Sequence, residues 1–109
     1  MKISTSKTEL QAALQKLSKA TPTRSTLPIL NSVLFDAQET ETVLRTTDLE
    51  ITIIANLPAS IETPGSVAIP HQTLLDITNE SPEDTRITLT ANTNNKIEMV
   101  TDVGAYDIM

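Results

Sequence analysis

Five side chains in the first 30 residues carry positive charge, Lys2, Lys7, Lys16, Lys19 and Arg24, and they face only one acid there, Glu9. Arg24 stands in the run T-P-T-R-S-T-L-P-I-L over residues 21–30, among the hydroxyls of Thr23, Ser25 and Thr26. A guanidinium flanked by hydroxyls can bind phosphate oxygens, because charge-assisted and neutral donors then converge on one anion. Threonine, serine and proline are also ordinary loop residues, and a lone loop arginine is usually just solvated. Lys16 and Lys19 lie three apart and share one side of a helix, either as a phosphate-facing pair or as its solvated face.

Other chemistry is sparse. His71 is the only histidine; with Asp76 it could form a base and its orienting group, but one histidine exposed at a helix start reads as structural. Asp48 and Glu50, two apart on a strand, point the same way without further ligands, so a solvated strand edge is the reading and no metal site is assigned. Gly65 and Gly104 cannot build a glycine-rich phosphate loop, and without cysteine neither a disulfide nor a thiolate metal site can form. Catalysis and a bound cofactor are therefore not expected.

The elements that must position these residues begin with a short strand at residues 2–4. Ser6-Lys7-Thr8-Glu9 then matches a capping box. Leu10, Ala13, Leu14 and Leu17 form one apolar stripe, so the spacing predicts a helix that ends before Pro22. Pro22 and Pro28 make 21–30 an extended connection. Strands are expected at 29–35, 43–46 and 49–57, the last with Leu49, Ile51, Ile53, Ala55 and Leu57 on one face. Pro64-Gly65 marks a turn before a strand at 66–69, and Pro70 opens a second helix from His71 to Thr78 with Leu74, Leu75 and Ile77 on its apolar side. Strands at 86–91, 96–101 and 105–108 complete the chain, the last placing Tyr106 and Ile108 on one side of a sheet edge.

This order, strand, helix and three strands used twice, predicts a single α+β domain over residues 1–109, with two helices on one face of the sheet. Its charge is uneven. The formal net charge is −6, yet residues 1–30 carry +4 and residues 31–109 carry −10. One basic element on an acidic body suits contact with nucleic acid on one face and repulsion elsewhere. With only Phe35 and Tyr106 as aromatics, stacking platforms for single-stranded bases are nearly absent. No apolar run approaches the roughly 18 residues of a membrane-spanning helix, and no signal-peptide core opens the chain, so a soluble, cytoplasmic protein is expected.

Four blocks, P-T-R-S-T-L-P-I-L at 22–30, T-T-D-L-E-I at 46–51, P-G-S-V-A-I-P at 64–70 and L-L-D-I at 74–77, resemble the bacterial DNA polymerase III beta subunit, the sliding-clamp family. The resemblance covers the whole chain but only the first of the family's three domains. It implies a DNA-clamp fold of two repeated β-α-β-β-β units. It also implies a non-catalytic processivity factor, a head-to-tail ring dimer that encircles duplex DNA without reading its sequence. Arg24 matches the family's DNA-contact position, Lys16 and Lys19 would belong to the hole-facing side of the first helix, and Tyr106 and Ile108 would belong to the subunit interface. The replicative polymerase and the clamp loader would be met through the later domains. The sequence departs from the pattern at His71-Gln72-Thr73, where the family often carries basic residues. A clamp-like interaction domain without DNA contact stands as the alternative.

Overall fold

A computed structural model describes residues 1–19, 31–47, 50–92 and 96–108. The elements run β1 (Lys2–Ser6), α1 (Lys7–Leu17), β2 (Ser32–Ala37), β3 (Thr42–Thr47), β4 (Thr52–Leu57), β5 (Ser60–Thr63), β6 (Gly65–Pro70), α2 (His71–Glu80), β7 (Arg86–Ala91), β8 (Ile97–Thr101) and β9 (Gly104–Ile108). The α+β class and the twice-used unit are borne out, as β1-α1-β2-β3-β4 and β6-α2-β7-β8-β9. The strands divide between two sheets where one was expected, in the orders β5-β1-β7-β8-β9 and β4-β3-β2-β6. The two units exchange their first strands, since β1 pairs with β7 of the second unit and β6 with β2 of the first. Neither unit closes its sheet alone.

β5 was not expected. It pairs with β1 through Ile3↔Ile61 and Ser4↔Ser60, and the chain then leaves this sheet at Pro64 and enters the other as β6. Gly65 suits the crossing, because the backbone there lies close to the amino terminus and an added Cβ would come 3.1 Å from the Met1 nitrogen.

α1 starts where the sequence places it. The Ser6 hydroxyl accepts from the Glu9 amide at 3.2 Å, which satisfies one of the free donors of the first turn. Leu10, Ala13, Leu14 and Leu17 are buried, and α1 packs on β1, β3, β4 and α2, while α2 packs on β2 and β6. The helices join one continuous core with Ile3, Phe35, Leu44, Ile69, Leu74, Leu89 and Met99. β4 keeps the predicted alternation at Ala55 and Leu57, but it starts at Thr52, so Ile51 stands outside it and exposed, and Leu49 lies outside the described residues. Among the described residues, no helix is long and apolar enough to cross a membrane.

Candidate nucleic-acid interface

Leu14 and Leu17 are fully buried, and this fixes which way the last turn of α1 faces. Lys16 lies beside them on the exposed side, and Lys19 follows the helix, also exposed. Neither forms an ion pair with an acid among the described residues. A cation at this end of a helix is also favoured by the negative end of the helix dipole. Ser18 closes the helix, its amide donating to the carbonyl oxygens of Leu14 at 3.0 Å and Gln15 at 3.3 Å.

Two other cations of the basic block are neutralised. Lys2 lies 3.3 Å from Glu62. Lys7 is buried with 6% of its side chain exposed, and its Nζ donates to Glu83 Oε1 at 2.9 Å. The sequence already signals the burial of Lys7, because residue 7 is in phase with Leu10, Leu14 and Leu17. The +4 of residues 1–30 thus narrows, among the described residues, to Lys16 and Lys19 as the cations free of an acid. Arg24, with Thr23, Ser25 and Thr26, lies outside the described residues, as does Asp48.

The two helices run side by side in opposite directions. Gln11 donates to Asn79 Oδ1 at 2.7 Å at one end, and His71 reaches Leu14 and Ser18 at the other. His71 is not exposed as expected but buried in the seam between the helices. Asp76 accepts from the Gln72 side chain at 2.8 Å, so the histidine and Asp76 do not form a base and its orienting group. The outward side of α2 presents Gln72, Thr73, Asp76, Asn79 and Glu80, two acids and no cation.

β9 is the edge strand that the sequence suggests. Tyr106 pairs in register with Met99 and is 36% exposed, whereas Ile108 pairs with Ile97 and is 3% exposed inside the core. Of the two residues expected at a subunit interface, Tyr106 alone stays on the surface of this domain. Among the described residues, no group of three or more histidine, aspartate or glutamate side chains could hold a metal ion.

On the outer face of the four-stranded sheet, the Asp36 carboxylate accepts from Ser66 Oγ at 3.1 Å, Arg45 Nη1 at 3.3 Å and Gln38 Nε2 at 3.4 Å. These bonds, that from Gln38 foremost, hold its carboxyl below the usual carboxylate range.

Comparison with known proteins agrees with this architecture. The family model for the DNA polymerase III beta subunit, N-terminal domain, matches residues 1–107. The beta sliding clamp of Synechococcus elongatus is 33% identical over 94 residues, covering 84% of this chain and 25% of the relative. The beta sliding clamp of Vibrio harveyi is 33% identical over 90 residues, covering 81% of this chain and 61% of the relative. The crystal structure of the DNA polymerase sliding clamp from Caulobacter crescentus superposes with a TM-score of 0.93 at 25% identity, over 99% of this chain and 30% of that one. The chain therefore spans about a quarter of the length of the Synechococcus relative. On a match that runs from Met1 to Asp107, the chain belongs to the DNA polymerase III beta subunit family, as its N-terminal domain.

Proposed function

We propose that this domain forms part of a sliding clamp, a non-catalytic processivity factor that encircles duplex DNA in the cytoplasm and tethers the replicative polymerase. The observation that carries the DNA contact is the distribution of cations. Lys2 and Lys7 are paired with acids, and Lys16 and Lys19 stand exposed at the C-terminal end of α1 on an otherwise acidic chain. Flexible lysines without a base-reading element bind phosphates and not base edges, so the contact is sequence-independent and salt-sensitive, as sliding requires. Arg24 belongs to the same contact, five residues beyond Lys19 in the sequence.

The ring is a head-to-tail dimer, and the exposed Tyr106 on the edge strand β9 takes part in the joint between subunits. Ile108 supports that edge from within the core. The polymerase and the clamp loader dock on the later domains of the complete protein.

Anisotropy of a labelled duplex, titrated at low salt with the complete protein that carries this domain, tests the reading. Lys16→Glu/Lys19→Glu is expected to weaken binding to every duplex sequence alike; unchanged binding would contradict the assignment. The outward Asp76 and Glu80 of α2 favour a second reading, a clamp-like interaction domain without DNA contact. That reading predicts no salt-dependent binding at all.

A further inference from the structure

His71 holds a place that the proposed contact does not by itself explain. It is 5% exposed, and its Nε2 lies 3.1 Å from the Leu14 carbonyl oxygen and 3.3 Å from Ser18 Oγ. A carbonyl oxygen only accepts, so Nε2 carries the proton and donates to Leu14. Ser18 donates to the same oxygen twice, from its amide at 3.0 Å and from its hydroxyl at 3.0 Å. Three donors thus converge on one acceptor in the last turn of α1. Helix ends fray because their final carbonyls lack intrahelical partners. Here a side chain from the first position of α2 locks the turn that carries Lys16 and precedes Lys19.

We propose that His71 is a positioning residue for the DNA contact. Through Leu14 and Ser18 it holds the C-terminal turn of α1 in one conformation, so that Lys16 and Lys19 meet phosphates without first ordering the turn beneath them. The inference rests on the reading of α1 as the DNA-facing helix. It also accounts for a histidine that is buried in a helix seam with no acid among the described residues to orient it.

Variants of the complete protein test it, with duplex affinity read by anisotropy at low salt and folding by denaturant midpoint. His71→Phe keeps the ring shape without a donor, and it is expected to weaken binding about three- to tenfold, the order of effect that ordering a few residues on binding entails. His71→Gln places an amide nitrogen as many bonds from Cα as Nε2, and it is expected to restore affinity. Gln11→Ala removes the Gln11–Asn79 bond at the far end of the helix pair, and it is expected to leave affinity unchanged. In the background Lys16→Gln/Lys19→Gln, His71→Phe should add no further loss, because its effect passes through those lysines.

Unchanged affinity in His71→Phe, or an equal loss in the Lys16→Gln/Lys19→Gln background, would overturn the positioning role. If His71→Phe does not fold, Ser18→Ala decides in its place, with the same dependence on the two lysines expected and its absence contradicting the role. A Lys16→Gln/Lys19→Gln protein that binds like the parent would instead overturn the DNA reading itself, whatever His71 does.

Discussion

Lys7 Nζ and Glu83 Oε1, 76 positions apart in the sequence, lie 2.9 Å from each other and join the first residue of α1 to the turn after α2. The pair is lopsided, with Lys7 buried and Glu83 75% exposed. Losing the exposed partner leaves a buried ammonium without a counter-charge, whereas losing the buried one leaves a carboxylate that water can solvate. Glu83→Ala is therefore expected to lower the urea midpoint more than Lys7→Met, which keeps the apolar stem. Lys7→Met is also expected to leave duplex affinity unchanged, because its charge is already engaged.

Leu14 and Lys16 sit on opposite sides of α1, one fully buried and the other exposed. Leu14→Ala is expected to destabilise by about 2–5 kcal/mol, as truncation in a packed core does. Lys16→Ala should be nearly neutral for folding, and denaturant midpoints of the two variants give the comparison directly.

The Asp36 carboxyl, stabilised in its ionised form by Gln38, Ser66 and Arg45, has a lower pKa folded than unfolded. Its contribution to stability is fully present above the usual carboxylate range, and it fades as pH falls through that range toward the lower folded value. Urea midpoints measured from neutral pH down to about pH 3 should fall less steeply in Asp36→Asn than in the parent.

Tyr106 stands on an edge strand whose outer backbone groups have no partner strand among the described residues. The 109-residue chain is expected to be mainly monomeric at micromolar concentration in light scattering after size exclusion. Tyr106→Glu should leave its fold intact and, in the complete protein, split the proposed ring dimer, because the new charge would be desolvated in the proposed joint.

Much of this arrangement is legible in local sequence. Ser6 and Glu9 mark the helix start, Leu10, Leu14 and Leu17 its buried side, and Pro70 the start of α2. β5 escapes because its four residues offer one apolar side chain, Ile61, and the rest of the strand is exposed at a sheet edge. The division into two sheets escapes because it depends on which distant strand each first strand joins, and no local pattern states that β1 pairs with β7. The partners that neutralise Lys2 and Lys7 are Glu62 and Glu83, both remote in sequence, so charge counting overstates the free basic surface. His71 reads as exposed from its helix-start position, and it is buried because α1 crosses that position in the fold.

On the proposed function, a few cations at one end of α1 meet the phosphates of duplex DNA. The most direct measurement is the dependence of duplex affinity on salt for the complete protein and for its Lys16→Gln/Lys19→Gln variant. A straight fall of log affinity with log salt is expected, the same for unrelated sequences, with a slope shallower in the variant by about 0.9 for each phosphate that it no longer neutralises. Equal slopes in the two proteins would contradict it.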